Sequence, residues 1–488
     1  MYNSLKTKAV SGVFWSGVQK ATIMVLGFIT SIILARLLTP NDYGLIGMLG
    51  VFLVVCNSFI EGGFGPALIQ KVHPSNVDYT TVFVWNIGFS IFSYSILYWL
   101  APFVSSFFHQ PDLVRILRVL GVILIVNAVR IVHVNQIKKQ LLFKKIAIIE
   151  ISAALIGFIT AILLAFYKYG VWSLVWQQII TYTLLTVVYW IASRWTPSFV
   201  FSWRSFREMF GFGFFILLSN LLNSLFNNIQ GLLIGRFYSA TTMGYYSKAQ
   251  HTEDLASGFF SQVVSQVSFP VLSYAQENMP RFRKILKSFI IIVSFITFPS
   301  MLGLILLAGP IIVLLYSDKW VDCVPYFKVL CIAGIFYSLE SIYYYAIVAL
   351  GKGKIVFKYT MLKRAVGLLL ICFSFFVGNI VGLLWGIVLA SFFAYCVNVF
   401  LASKYVDYSF LSQFNDIFPI MLISITAFSL AFFFPLYFSS YDITHISWYP
   451  IAIFLSSYVV LSFLFCKSAI NALHEFVSVM RIKKSNVE

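Results

Sequence analysis

The stretch SGVFWSGVQKATIMVLGFITSIILARLLTPNDYG, residues 11–44, decides the fold. From Ser11 to Ala35 it holds one charge, Lys20, and as a helix it is long enough to cross the roughly 30 Å hydrocarbon core of a bilayer. Arg36, Pro40 and Gly44 close it. A cation suits the negative end of a helix, and Pro40 halts one helix where it can open the next. The same punctuation returns about 200 residues later: Ile234-Gly235-Arg236 and Gly244 stand for Leu34-Ala35-Arg36 and Gly44, and Phe214 and Ile229 repeat Phe14 and Ile29.

The rest of the chain shares this character. Of 488 residues, 60% are hydrophobic, 18% aromatic and 10% charged, and mean hydropathy is +0.89. Soluble domains carry about 25% charged residues, so soluble, disordered and small disulfide-stapled classes are excluded. Long unbroken apolar runs favour helices over the alternating strands of a barrel. Read against Pro, Gly and charge, they predict an all-α integral membrane protein of about 14 transmembrane helices. These lie near 12–36, 44–66, 79–101, 113–135, 146–168, 171–192, 208–235, 244–271, 285–308, 324–349, 357–378, 381–402, 417–437 and 448–466. The basic start at Lys6 and Lys8 precedes no cleavage pattern, so the first run reads as an uncleaved span. The cysteines show no C-x-x-C, and Cys56, Cys331, Cys372, Cys396 and Cys466 sit in apolar runs, with Cys323 beside a short loop. Neither a disulfide framework nor a metal site is expected.

A net charge of +17 would suit nucleic acid if it formed one patch. Instead Lys and Arg follow topology, with a roughly threefold excess on one side and basic loops at 136–145, 193–207 and 272–284, which places both termini in the cytoplasm and leaves no nucleic-acid partner. Six spans separate the two copies of the opening motif. Both halves therefore begin in the same orientation, as two parallel six-helix lobes at 1–205 and 206–405, with 406–488 an added helix pair and basic tail. Transporters built this way hold substrate between the halves, near the bilayer midplane.

Lys20 shares a helix face with Ser16, Gly27 and Ser31, and Asn220, Asn223, Asn227 and Gln230 share another. Positions 20 and 27 map onto 220 and 227, which predicts a hydrophilic cavity. The same residues would also serve as interhelical amide contacts, with Lys20 snorkelling to headgroups. Arg130, between Asn127 and His133, joins Lys20 as a cationic donor for a phosphate-bearing headgroup, or else meets membrane lipid phosphate at the interface. Glu61, Asp254 and Glu340 are carboxylates able to take H⁺ or Na⁺ for ion coupling, or static partners of Lys20, Arg36 or Lys248. Arg36 and Arg236 are expected to cap their own helix ends. No nucleophile elbow, P-loop, metal cluster or long outer loop with paired carboxylates is present. The chain does not read as an enzyme, and no catalytic residue or cofactor is expected.

Phe14-Trp15, the run Leu34-Ala35-Arg36-Leu37-Leu38-Thr39-Pro40-Asn41-Asp42-Tyr43-Gly44, and Gly62-Gly63-Phe64-Gly65-Pro66-Ala67-Leu68-Ile69-Gln70 carry a resemblance. It continues through Gly244-Tyr245-Tyr246-Ser247-Lys248-Ala249-Gln250, Phe269-Pro270-Val271-Leu272-Ser273, Lys319-Trp320 and Val324-Pro325-Tyr326. The chain resembles the polysaccharide transporter (oligosaccharide flippase) branch of the multidrug, oligosaccharidyl-lipid and polysaccharide exporter superfamily, over spans one to about twelve. The resemblance implies alternating access by two lobes in the bacterial cytoplasmic (inner) membrane. It implies movement of an undecaprenyl-pyrophosphate-linked oligosaccharide to the outer leaflet for lipopolysaccharide O-antigen, capsule or exopolysaccharide. It also implies an H⁺ or Na⁺ gradient as driver, and a glycan polymerase and glycosyltransferases as pathway partners. Lys20 lies where related lipid flippases use basic residues. The alternatives are a cation-coupled multidrug exporter of the same superfamily and a membrane-embedded glycan polymerase or ligase.

Overall fold

The computed structural model describes residues 2–198, 200–438 and 448–466; the expected basic tail and most of the outer loop 438–447 lie outside the described residues. Among the described residues every regular element is a helix. In chain order they are α1 (Tyr2–Leu37), α2 (Pro40–Glu61), α3 (Phe64–Gln70), α4 (Asn76–Phe108), α5 (Leu113–Lys139), α6 (Phe143–Phe166), α7 (Val171–Ser193), α8 (Trp203–Phe237), α9 (Ala240–Tyr274), α10 (Met279–Leu306), α11 (Ala308–Tyr316), α12 (Val324–Ala349), α13 (Gly353–Val406), α14 (Phe410–Phe438) and α15 (Trp448–Phe465). Among the described residues 10 helical segments are long and apolar enough to cross a membrane, or 11 if the bent pair Trp203–Gly211 and Ile216–Phe237 forms one span. Trp99, Ile191 and Phe376 stand exposed on their helices, an apolar surface that lipid covers. The chain is a multi-pass membrane protein.

Two compact units divide the chain, Met1–Ser247 and Lys248–Glu488. In the first, α8 packs on α2, α3 and α4. The α1–α2 junction is held by a capping box: the Thr39 N–H donates to Asp42 Oδ2 at 2.9 Å, the Asp42 N–H donates to Thr39 Oγ1 at 3.4 Å, and Pro40 occupies the first turn. Such caps contribute about 1 kcal/mol. The α8–α9 junction repeats half of the device, with the Thr242 N–H donating to Ser239 Oγ at 3.1 Å. The two junctions then meet reciprocally. A Cβ at Gly44 would run into the Ala240 carbonyl, and one at Gly244 would run into the Pro40 carbonyl. Arg236 does not follow the expectation of capping its own helix: its Nη1 donates to the Phe107 carbonyl at 2.6 Å, in the last turn of α4, and lies 3.1 Å from His109 Nδ1. The exposed carbonyls of a neighbouring helix end offer it a better-oriented acceptor.

The expected helix 44–66 is broken. Gly62 (φ 51°) and Gly63 (φ 71°) are left-handed, so α2 ends and α3 begins there. Gly213 of α8 packs on the same turn, where an added Cβ would stand 2.8 Å from the Gly62 carbonyl oxygen. Only paired glycines allow that backbone approach. The segment after 308, expected as a loop, forms α11 and a 3₁₀ turn, Asp318–Cys323, because Tyr316 and Trp320 are both fully buried and pin it. At 54 residues α13 would run about 81 Å as a straight helix, but Gly378 and Asn379 leave helical geometry. Its two arms fold back on each other, with Gly386 facing Ile371 and Gly367 facing Ala390. The result is a helical hairpin whose turn lies where spans 357–378 and 381–402 were expected to part. α14 and α15 pair and pack on α10, with the Tyr458 hydroxyl donating to the Phe295 carbonyl at 2.8 Å.

Gly44→Ala and Gly244→Ala each add a methyl group where a backbone carbonyl sits. Helix propensity alone favours Ala by about 1 kcal/mol, while overpacking costs about 1–3 kcal/mol, so both variants are expected to unfold at lower temperature in detergent. Gly50, with open space around it, is the comparison. A Gly44→Ala midpoint equal to that of Gly50→Ala would contradict the crossing.

Candidate functional site

Within the first unit, the α2–α3 turn, α5, α6 and α8 form a partly open cavity of about 250 Å³, lined among others by Glu61, Gly63, Arg130, Lys138, Glu150 and Asn220. α5 supplies both cations, because Arg130 and Lys138 are two helical turns apart on one face. Arg130 is anchored from behind. Its Nε and Nη2 donate to Asn127 Oδ1 at 3.2 and 2.6 Å, Asn127 Nδ2 donates to Asn57 Oδ1 at 3.0 Å, and the guanidinium lies 5.4 Å from the Tyr182 ring. Glu150 accepts a hydrogen bond from the Tyr189 hydroxyl at 3.1 Å and another from Gln19 Nε2. Two cations thus face two carboxylates, and their formal charges cancel.

Of the residues expected to form the site, Glu61, Arg130 and Asn220 come together here. Lys20 does not line this cavity; it is exposed on α1, and its neighbour Gln19 is the residue that reaches Glu150. Asn223 is half-buried and Asn227 exposed further along α8, both outside this lining. His133 serves the core: it is fully buried, its Nδ1 lies 2.7 Å from Ser193 Oγ, and Trp190 and Trp195 pack on its ring. Lys138, Glu150 and Asn135 were missed as site residues. The available signal was the common face of Asn127, Arg130 and Lys138, with Lys138 hidden among the cations of the basic loop at 136–145. Just outside, on the α3–α4 connection, Lys71 Nζ contacts Asp78 at 3.1 Å and Glu208 at 3.2 Å. Burial opposes its charge, but these two hydrogen bonds outweigh that and hold its pKa above the ordinary lysine value.

In the second unit Glu340 has a partner other than those expected. Its Oε1 accepts from Lys363 Nζ at 2.6 Å, and Lys363 also donates to Asn398 Oδ1 at 3.1 Å. Lys363 lies in α13, with its side chain 7% exposed against 19% for Glu340. A carboxylate inside an apolar helix pair needs a charge partner, which draws the lysine inward. Asp254 is exposed on α9, whereas its neighbour Glu253 is buried. Lys363→Met is expected to cost about 3–5 kcal/mol by leaving Glu340 buried and unpaired. Adding Glu340→Leu should recover most of that loss in chemical denaturation; a double variant as unstable as the sum of the singles would show that the pair is not coupled.

The family model described as polysaccharide biosynthesis protein matches residues 33–325. The chain is 25% identical over 356 residues to teichuronic acid biosynthesis protein TuaB of Bacillus subtilis (strain 168), covering 72% of this chain and 74% of that one. It is also 25% identical over 370 residues to lipopolysaccharide biosynthesis protein WzxC of Escherichia coli (strain K12), covering 74% of each. Its fold is similar to that of the lipid II flippase MurJ in an inward closed conformation, with TM-score 0.76 at 16% identity over 94% of this chain and 100% of that one. It is also similar to an inward-facing multidrug resistance MATE family transporter of the MOP superfamily, with TM-score 0.58 at 14% identity over 79% and 96%. The family match takes in the α1–α2 junction, the cavity of the first unit and the α9 motif, which is more than half of the chain, and the protein therefore belongs to the polysaccharide biosynthesis protein family.

Proposed function

We propose that this protein is a flippase for a lipid-linked oligosaccharide, with about fourteen spans, both termini cytoplasmic, two six-helix repeats and a pyrophosphate-linked substrate. The observation that carries the reading is the partly open cavity that Arg130 and Lys138 of α5 both line. Arg130 is bound along one edge by Asn127, which leaves the rest of its fork for phosphoryl oxygens. At about 250 Å³ the cavity is smaller than the ~300–1,000 Å³ usual for ligand pockets, a size suited to a charged anchor group and not to the whole glycan. Lys20, Asn223 and Asn227 then meet substrate outside it. Support comes from the family match, from relatives named for teichuronic acid and lipopolysaccharide biosynthesis, and from the fold shared with a lipid II flippase.

Charge balance supplies a reason for ion coupling. A dianion gains little from a cavity in which Glu61 and Glu150 offset Arg130 and Lys138. Glu150 is already held by Tyr189 and Gln19, so Glu61 is the carboxylate whose neutralisation by H⁺ or Na⁺ would favour the anion, and by linkage the anion would favour the ion. Asp254 and Glu340 are the further coupling carboxylates, Glu340 by exchange with Lys363.

Arg130→Ala is expected to lower flipping of a fluorescent lipid-linked oligosaccharide in proteoliposomes at least about tenfold, the scale of one lost charged hydrogen bond, with Arg130→Lys intermediate. Wild-type flipping by Arg130→Ala would remove the cavity from the mechanism, and drug resistance without glycan export would favour the multidrug reading. Lys20→Glu should likewise abolish export in cells at unchanged protein level. Glu61→Gln is expected to bind substrate with a flattened pH dependence, its cavity being permanently more positive; an unchanged pH profile would exclude Glu61 as the coupling group.

A further inference from the structure

In the second unit Glu253 of α9 is 7% exposed, and its Oε1 has no hydrogen-bond partner. Ser257, one turn on, hydrogen-bonds the carboxyl group. Across from it stands Gly334 of α12, where an added Cβ would lie 3.2 Å from the Glu253 carboxyl carbon and 3.5 Å from Met301 Cε of α10. The missing side chain at Gly334 therefore makes the room that the carboxylate occupies. One turn beyond Gly334 is Ser338, and on the Met301 face of α10 are Thr297 and Ser294, at spacings of four and three. All three hydroxyls are fully buried, and all three lack a partner. Four unsatisfied oxygens thus lie on α9, α10 and α12, one of them from a carboxylate.

An ionised carboxylate oxygen with no donor is far too costly to bury, and three buried, unpaired hydroxyls on α10 and α12 add to the cost. A small cation resolves both. A proton on Oε1 turns the carboxyl into a donor for a neighbouring hydroxyl. A sodium ion takes the lone pairs of carboxylate and hydroxyl oxygens together, the donor set that hard cations prefer. We propose that Glu253, with Ser294, Thr297 and Ser338, forms a binding site for a small monovalent cation, H⁺ or Na⁺, buried among α9, α10 and α12. The other titratable groups around it are Lys248, His251 and Asp254 on α9 and Cys331 on α12; α10 faces it with Ser294, Thr297 and Met301. As the coupling site of a flippase the inference rests on the proposed function, whereas as a cation site it does not.

The test is the thermal unfolding midpoint of the full-length protein in detergent. It is measured as NaCl replaces choline chloride at constant ionic strength, and separately as pH is varied without Na⁺. The wild-type midpoint is expected to rise with Na⁺ if the occupant is sodium, or to rise as pH falls if it is a proton. Glu253→Gln, which puts a neutral amide of the same shape in place of the carboxylate, should lose that response, and Glu277→Gln, an exposed change on the α9–α10 connection, should keep it. Ser338→Ala disturbs packing least and should raise the half-saturating Na⁺ concentration several-fold, or displace the pH midpoint. A wild-type protein indifferent to both Na⁺ and pH overturns the site, as does a Glu253→Gln protein that responds as wild type does. An intact ion response in a protein that flips no lipid-linked glycan would count against the flippase reading and leave the site standing.

Discussion

Everything in the first unit is referred to one backbone contact. Gly44 meets the Ala240 carbonyl and Gly244 meets the Pro40 carbonyl, so the first turns of α2 and α9 cross with no side chain between them. In a bilayer, helices gain nothing by leaving lipid for each other except packing and polar contacts, and small residues are what permit close packing. Gly47 extends the seam, facing Met243, and Gly231 of α8 approaches the same methionine. Because α2 is fixed at its start, its far end is fixed too. There the turn at Gly62–Gly63 rests on Gly213 of α8, again backbone on backbone. Two glycine contacts at either end of α2 thus set where α8 runs, and with it the wall of the cavity that Asn220 contributes.

The junction was legible in the sequence because its signals are local. Pro40 opens a helix, Arg36 ends one, Gly44 sits at a fixed distance, and the set recurs about 200 residues on. The helices were legible because lipid demands long apolar runs. What stayed hidden depends on contacts between distant segments. Nothing near Gly62–Gly63 announces that Gly213 will lie on that turn. Nothing near residue 363 says that Glu340 will draw Lys363 between α12 and α13, and a lysine close to a span boundary is read as a loop cation by default. The 3₁₀ turn after α11 exists because Tyr316 and Trp320 find burial there, a tertiary cause with no periodic trace.

The cavity was half legible for the same reason. Glu61, Arg130 and Asn220 stand out because polar groups inside apolar helices are few. Lys138 and Glu150 are equally part of its lining, yet both lie at helix ends where charge is ordinary. On α1 the difference is rotational. One residue is about 100° of helix, so the face through Lys20 and the face through Gln19 point to different neighbours, and it is Gln19 that bonds to Glu150 on α6. Hydrophobic pattern cannot fix that rotation when both faces of a membrane helix are apolar. Only the partner helix does.

The net charge of +17 narrows in the same way. Much of it lies in the loops that the sequence reading expects to orient the chain. Of the basic residues that lie within helices, Lys363 neutralises Glu340, Arg236 closes the end of α4, and Lys248 lies 4.1 Å from the Tyr316 ring. Each is held by a structural contact that would have to break before the cation could meet an anion. Arg130 is also held by a neutral group, Asn127, but unlike them it lines the first unit's cavity, where Glu61 and Glu150 offset it and Lys138. A guanidinium anchored along one edge by an amide keeps donors for a ligand, whereas an ammonium paired directly with a carboxylate, as Lys363 is, has its charge offset at the point of contact. Those available donors, and not the count of positive charges, are the reason for proposing the first unit's cavity as an anion site.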